Sequence, residues 1–287
     1  MSIDARTALA APRDLLPPTS ELADRLSASP LLIALDIDGT LAPIAPTPQD
    51  AAVPPETRQT LEQLAARPNV HVAMVTGRAA RDGRQLVGVP NSWTIGNHGA
   101  ELIDPLGALR VNALAEAFAP VVARAYDSLR PPLSAFAGVF VENKTWTLSV
   151  HFRLAKEDDE PDVRRIVSDV AGGSGLRMFE GRKIFELRPP VDITKGTALL
   201  ELATSLGVLA RGRMQGSALY AGDDRTDEDA IESLRALRST AVTIHVGTAT
   251  LPDGTHTSAE FLAPDPAALR SLLEWLTSAR DEGGPRT

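Results

Sequence analysis

Cysteine is absent from the 287 residues. That excludes a disulfide framework, a thiolate nucleophile and a Cys-ligated metal. No apolar run approaches the length needed to span a bilayer, so no membrane association is expected. The amino terminus carries an acid at Asp4 and lacks a long apolar core, which argues against a secretory signal and for a cytoplasmic protein. Positive charge is in deficit: 29 Lys and Arg face 37 Asp and Glu, for a net charge of −8. That argues against a general surface for nucleic acid or anionic membranes, and leaves room for a local basic pocket that binds a small anion. Internal repeats and long low-complexity tracts are missing as well. What remains is 43% hydrophobic and 23% charged, as in soluble globular proteins. The length suffices to bury a full core and to hold two domains.

The most informative stretch is Leu31-Leu-Ile-Ala-Leu-Asp36-Ile-Asp38-Gly39-Thr40. A strand-like apolar run delivers two carboxylates, one residue apart, into a glycine turn. Side chains alternate along a strand, so Asp36 and Asp38 start on the same side unless the turn re-aims one. Two like charges held that close call for a cation or a shared proton. The plain alternative is a strand followed by a common Asp-Gly turn. Open α/β sheets place their chemistry at the carboxyl ends of buried parallel strands, which is where this pair would sit.

The chain predicts a discontinuous core. A leader spans residues 1–29, with a short helix at Ser20–Leu26. Strands at Leu31–Leu35, Val70–Val75 and Ser92–Ile95 alternate with a helix at Glu56–Ala66, after a proline-rich loop at 42–55. Strand, helix and strand in alternation point to a doubly wound parallel α/β sheet. The core so predicted covers residues 30–110 and 189–287. The segment 111–188 differs. It reads as a helix over Leu114–Leu129, strands at Gly138–Glu142 and Thr145–Phe152 around Asn143-Lys144, a helix over Asp162–Val170, and strands at Leu176–Glu180 and Lys183–Leu187 around Gly181-Arg182. That is an inserted α+β cap with an antiparallel sheet. The α/β pattern then resumes with helices at Lys195–Leu206, Thr226–Leu237 and Ala267–Ala279 and strands at Ser217–Ala221 and Ala241–Val246.

A second acidic group follows the strand ending at Ala221: Gly222-Asp223-Asp224-Arg225-Thr226-Asp227-Glu228-Asp229. An acidic loop is normally a solvated one. Here the first acids sit at the same end of the sheet as Asp36, while the later ones open a helix, where negative charge is favoured. A carboxylate cluster without Cys and with few His suits a hard, oxygen-preferring cation, most simply Mg²⁺. Thr76-Gly77-Arg78 ends a strand and opens a helix, which suits an anion. Lys195 stands at another helix start. Taken singly, Thr76 and Lys195 are ordinary structural residues. Together with two acidic loops they suit phosphoryl transfer.

Asp36-Ile-Asp38-Gly-Thr40, Thr76, Lys195 and Gly222-Asp223-Asp224, in this order, resemble the haloacid-dehalogenase superfamily of phosphatases. Gly96-Asn-His-Gly-Ala-Glu101, Val141-Glu-Asn-Lys144 with His151-Phe-Arg153, Gly181-Arg-Lys-Ile-Phe-Glu186-Leu-Arg-Pro189 and Gly222-Asp-Asp-Arg-Thr-Asp-Glu228 narrow the resemblance to the trehalose-6-phosphate phosphatase family. It runs from about Leu31 to Ala263, and Phe152 departs from a Tyr common in that family.

The resemblance implies a Mg²⁺-dependent hydrolase in trehalose biosynthesis that releases phosphate from trehalose 6-phosphate through an aspartyl-phosphate. Asp36 would be the nucleophile and Asp38 the acid, then the base, protonated at the start with help from partial burial. Thr76 and Lys195 would hold the phosphoryl oxygens. The metal would be held by Asp36, the Asp38 carbonyl and Asp223, with Asp224 nearby. Substrate contacts would come from Arg78, from Asn97, His98 and Glu101 at the core rim, and from Glu142, Lys144, Lys183 and Glu186 in the cap. Arg153 and Arg182 read as solvated hairpin charges, His151 as a structural hydrogen-bonding residue, and His71 and His245 as core or strand-edge residues. Alternatives are another sugar phosphatase, such as one for sucrose phosphate, a phosphomutase, or a catalytically silent domain that binds a sugar phosphate. No partner protein is indicated.

Overall fold

The structure is a computed structural model, and it describes residues 11–237, 240–251 and 253–282. The first ten residues of the expected leader lie outside these ranges. The core begins with β1 (Arg13–Asp14), α1 (Ser20–Ser27), β2 (Leu31–Leu35), α2 (Pro55–Ala65), β3 (Val70–Val75), α3 (Ala80–Val87) and β4 (Trp93–Gly96). Every residue of β2 is buried, as befits a strand covered on both faces. Two short strands follow, β5 (Glu101–Ile103) and β6 (Leu109–Val111).

The inserted cap comprises α4 (Ala113–Glu116), α5 (Ala119–Leu133), β7 (Phe140–Asn143), β8 (Leu148–His151), α6 (Glu160–Ser174), β9 (Arg177–Gly181) and β10 (Ile184–Arg188). The chain re-enters the core through α7 (Lys195–Ser205), a small hairpin of β11 (Leu209–Ala210) and β12 (Arg213–Met214), β13 (Ser217–Gly222), α8 (Glu228–Leu237), β14 (Ala241–Val246), β15 (Phe261–Ala263) and α9 (Pro266–Glu282).

The core sheet has nine strands in the order β1-β15-β14-β13-β2-β3-β4-β5-β6. From β1 through β4 all neighbours are parallel. The β5–β6 extension is antiparallel and was not foreseen. Leu22 and Leu26 of α1, Leu61 and Leu64 of α2 and Leu272 of α9 pack on one face, and Leu199 and Leu202 of α7 with Ile231 and Leu234 of α8 on the other. The doubly wound α/β expectation therefore describes the core well. β2 and β13 are adjacent and parallel, so Asp36 and Asp223 emerge side by side at the carboxyl edge.

Two local expectations change. From residue 11 onward the leader is part of the core: β1 pairs with β15, and Leu15, Leu22 and Leu26 are buried. The β1 segment reads as polar because its side chains are exposed, with Arg13 paired to Glu260 and lying over the Phe261 ring of β15. The helix expected over Leu114–Leu129 is two helices. Pro120 has no N–H to bond the Glu116 carbonyl four residues back, so the ladder is interrupted there and Pro120 falls in the first turn of α5, where no N–H is needed.

The cap sheet runs β7-β8-β10-β9, antiparallel throughout. Its alternation separates two faces. Val150, Phe185 and Leu187 join Val122 and Leu129 of α5 and Val163 and Val167 of α6 in an apolar core. Glu142, Ser149 and Glu186 stand in register on the opposite face, which looks toward the core domain.

Candidate active site

Asp36 follows β2 and is 5% exposed. The chain then turns tightly, with the amides of Leu41 and Ala42 both donating to the Ile37 carbonyl at 2.9 Å. Gly39 has φ +91°, and a Cβ there would lie 2.1 Å from Asp223 Oδ2. Glycine is thus required twice, by backbone conformation and by the approach of the second acidic loop.

That loop is organised by Asp227, which is fully buried. Its Oδ2 accepts from the amides of Asp223 and Asp224 at 3.0 and 3.1 Å. Its Oδ1 accepts from the Tyr220 hydroxyl at 2.5 Å and Lys195 Nζ at 2.8 Å. Lys195 Nζ also donates to Asp36 Oδ1 at 2.7 Å. The lysine is aimed by its position at the first turn of α7, where Thr194 and Thr197 form a reciprocal cap. A Cβ at Gly222 would meet Asp227 Cγ at 2.1 Å, so that glycine too makes room for the network.

Ligand oxygens of Asp36, Asp223 and Asp227 lie within 4.8 Å of one another. Burial pushes Asp36 up, opposed by Lys195 and reinforced by Asp227 and Asp223. Asp223 is pushed up to about 8, by burial first and then by Asp227 and Asp224. Burial works against the Lys195 ammonium, but Asp227 and Asp36 outweigh it and hold the charge. Three buried carboxylates against one ammonium leave an excess of negative charge, which a divalent cation with oxygen ligands would remove. The donor set fits Mg²⁺.

The sequence named Asp224 as a metal residue and passed over Asp227. Asp224 Oδ1 instead accepts from the amide and hydroxyl of Thr226, both at 2.8 Å, closing a local turn. The signal for Asp227 was its spacing: four residues after Asp223 it can fold back and bond the loop amides, whereas it was read only as a helix-opening charge. Asp38 points away from the carboxylate group. Arg78 grips both of its oxygens at 2.7 Å and donates to the Pro48 carbonyl at 2.9 Å. The Asp38 side chain is 42% exposed, so the burial expected to keep it protonated is not there. Thr76, at the end of β3, is buried, and its hydroxyl accepts from the Arg78 amide at 3.1 Å.

Above this floor the cap presents a polar rim. Glu186 bonds His98 Nε2 at 2.9 Å, stands 3.6 Å from Lys144 Nζ and pairs with Arg188. Burial opposes charge on Glu186, but Arg188, His98 and Lys144 outweigh it and hold the carboxyl well below the usual range. His98 is pushed down to about 4, chiefly by burial and then by Arg188. Its neutral ring therefore carries the proton on Nε2. Glu142 accepts from His151 Nε2 at 2.8 Å, and His151 stacks on Phe140 with ring centroids 4.4 Å apart. Burial raises the Glu142 carboxyl, but the His151 bond and the Lys144 charge outweigh it and hold it low.

Lys183 does not join the rim. It pairs with Glu160 at 2.8 Å and lies over the Phe152 ring, on the helical side of the cap. The neighbouring Arg182, taken as a solvated charge, is the one whose field reaches Asp223. Its carbonyl accepts from Arg153, which also donates to the Ala45 carbonyl and so ties the β9–β10 turn to the loop after Asp38. Asn97 and Glu101 are buried beneath the β7–β8 turn with their polar atoms paired to protein groups.

The family model for trehalose-phosphatase matches residues 34–267. A trehalose-phosphate phosphatase of Mycobacterium tuberculosis is 40% identical over 215 residues, which is 74% of this chain and 53% of that protein. The chain thus spans about half the length of the curated relatives it matches. Among solved structures, a trehalose-6-phosphate phosphatase related protein superposes with a TM-score of 0.74 at 27% identity, covering 88% of this chain and 99% of the other. The C-terminal domain of Candida albicans trehalose-6-phosphate phosphatase gives 0.74 at 20% identity, covering 95% and 99%, a likeness of fold. Among the described residues no helix is long and apolar enough to cross a membrane.

Proposed function

The chain belongs to the trehalose-phosphatase family, and we propose that it hydrolyses trehalose 6-phosphate to trehalose and phosphate through an aspartyl-phosphate on Asp36. The observation that carries this reading is the convergence of Asp36, Asp223 and Lys195 under a cap face bearing Glu142 and Glu186. Asp36 Oδ1 is bound by Lys195, which leaves Oδ2 to attack phosphorus. The bond from phosphorus to the sugar oxygen breaks, and Asp38, which takes up a proton from solvent once Arg78 releases it beside the phosphoryl dianion, gives that oxygen the proton. A water then attacks phosphorus, Asp38 takes its proton, and the bond to Asp36 breaks.

Arg78 engages both Asp38 oxygens, so it must first let go. The incoming phosphoryl dianion offers it a competing partner of higher charge. Thr76 and Lys195 orient the remaining phosphoryl oxygens. Asp36, the Asp38 carbonyl and Asp223 would hold Mg²⁺, whose charge offsets the repulsion between carboxylate and phosphate. Asp227, already bonded four times, serves as an organiser of Lys195 and the 222–224 loop. Glu142, Lys144, His98 and Glu186 read the sugar. The reading includes a cytoplasmic setting, since a charged sugar phosphate does not cross a bilayer unaided.

The test is phosphate release from trehalose 6-phosphate, with and without Mg²⁺, beside a panel containing sucrose phosphate and glucose 6-phosphate. Metal-dependent release confined to trehalose 6-phosphate supports the reading. Preference for another sugar phosphate would move the chain to a neighbouring specificity, and absence of release from the whole panel would overturn hydrolysis.

A further inference from the structure

Asn97 and Glu101 look from sequence like sugar ligands, yet neither has a polar atom to spare. Asn97 is 2% and Glu101 8% exposed. Asn97 Nδ2 has two hydrogens and two acceptors, Glu101 Oε2 at 2.9 Å and the Lys144 carbonyl at 3.2 Å. Its Oδ1 accepts from the Thr147 hydroxyl at 2.7 Å. Glu101 Oε1 accepts from the Trp146 indole at 2.9 Å, and Oε2 accepts from the Ala80 amide at 2.7 Å. That last bond caps α3, which has no side-chain cap of its own. Each partner other than Ala80 and the Asn97–Glu101 pair itself belongs to one short piece of cap, Lys144 to Thr147.

This piece is the turn between β7 and β8. It projects from the cap into the core and carries Lys144, whose ammonium donates to the Gly77 carbonyl at 2.9 Å, between Thr76 and Arg78. Lys144 is 8% exposed and stands 3.9 Å from Glu142 and 3.6 Å from Glu186. A flexible four-carbon side chain keeps one position only if its backbone is fixed. Asn97 supplies that fixation by bonding the Lys144 carbonyl itself. The Asn97-His98 backbone has φ of +48° and +55°, and amide bonds to the Arg78 and Thr76 carbonyls hold it in that conformation.

We propose that Asn97 and Glu101 are positioning residues that seat the β7–β8 turn, through Thr147 and Trp146, and so hold Lys144 over the Thr76–Arg78 segment without touching the sugar. The inference rests on the proposed sugar-phosphatase reading for its kinetic consequence. Its structural half stands on the docking alone.

The experiment uses the full chain with Mg²⁺. Glu101→Gln and Trp146→Phe each break the indole bond from a different side of the interface. Both should raise KM for trehalose 6-phosphate about tenfold, the loss typical of a hydrogen bond to a charged group, with kcat within about twofold. Hydrolysis of p-nitrophenyl phosphate, which needs only the core, should stay within about twofold. In a Lys144→Ala background neither change should matter further, because nothing remains to be positioned. Multiplying losses in that background, or a loss for Glu101→Gln with none for Trp146→Phe, would overturn the proposal and make Glu101 a sugar ligand. Docking is measured without substrate by acrylamide quenching of Trp146 in a Trp93→Phe, Trp275→Phe chain. Glu101→Gln should increase quenching, and unchanged quenching would refute the seating even if trehalose 6-phosphate proves not to be the substrate.

Discussion

Replacing Asp227 by Asn tests the organising role assigned to it. The carboxylate accepts four hydrogen bonds, two on each oxygen, from Lys195, Tyr220 and the amides of Asp223 and Asp224. An asparagine has one acceptor oxygen. Whichever way its amide turns, its NH₂ faces two donors, either the loop amides or the lysine and phenol. Two buried donors lose this acceptor, at about 1–3 kcal/mol each. The Lys195 ammonium keeps Asp36 as counter-ion, and losing one negative charge relieves Asp36 and Asp223, so the net falls near the lower part of that sum. A loss of about 3 kcal/mol is expected, at the low end of the roughly 3–5 kcal/mol typical of a buried pair broken outright. A domain of this size should still fold, with Tm lowered by roughly 5–10 °C. Tyr220→Phe, which removes one of the four bonds, should cost about 1 kcal/mol. Urea unfolding measures both, and calorimetric titration with Mg²⁺ follows the metal. Asp227→Asn within about 0.5 kcal/mol of wild type would refute the reasoning. Loss of Mg²⁺ binding with unchanged stability would make Asp227 a direct ligand instead.

Asp36→Asn should abolish turnover while keeping the fold, and activity above about a thousandth of wild type in the phosphate assay would remove Asp36 from the nucleophile role. Gly39→Ala places a methyl 2.1 Å from Asp223 Oδ2 at φ +91°; it should cost roughly 1–3 kcal/mol and weaken Mg²⁺ binding, and a normal Tm with normal metal titration counts against the packing argument. Glu186→Ala should lower kcat/KM for trehalose 6-phosphate by about a hundredfold and that for a small aryl phosphate by less than about threefold, with equal losses pointing to a role in fold or chemistry. His98 sits at about 4 in the fold against an ordinary 6.5, so the unfolded chain binds the extra proton between those values; its contribution is fully present above 6.5 and is lost as pH falls toward 4, up to about 3 kcal/mol. Urea unfolding from pH 7 to pH 4.5 should show this slope, and His98→Gln should flatten it.

The core was legible because its signals are local. A continuous apolar run bounded by Asp-Gly can hardly be anything but a buried strand ending in a turn, and β2 is one. Strand adjacency also followed, since a doubly wound sheet brings the carboxyl ends of β2 and β13 together. The strands that went unread, β15 with its buried Phe261 and Ala263 among them, are two or three residues long, too short to show a period. β1 is two polar residues added to β15, and β5 and β6 are three residues each. Such strands exist because an edge was free to pair, and a sequence does not display a free edge.

The site divides along the same line. Asp36, Asp223 and Lys195 could be grouped because each stands at the end of an element whose direction the fold dictates. The cap contacts depend on parity and on which turn meets which loop. Glu186 and Lys183 lie in one hairpin, and both read as charges free to meet a sugar. Phe185 and Leu187 face the cap core, so alternation along β10 puts Glu186 on the site face, whereas Lys183, in the turn before β10 with φ +60°, is exposed and pairs with Glu160. That parity was available from the apolar residues alone. The roles of Asn97 and Glu101 were not available from any pattern. Their partners are the carbonyl of Lys144, the hydroxyl of Thr147 and the indole of Trp146, some 45 to 50 residues along the chain. A buried Glu reads in sequence as a ligand, because the donor that satisfies it belongs to another domain. Its bonds have to be counted in space before its chemistry can be assigned.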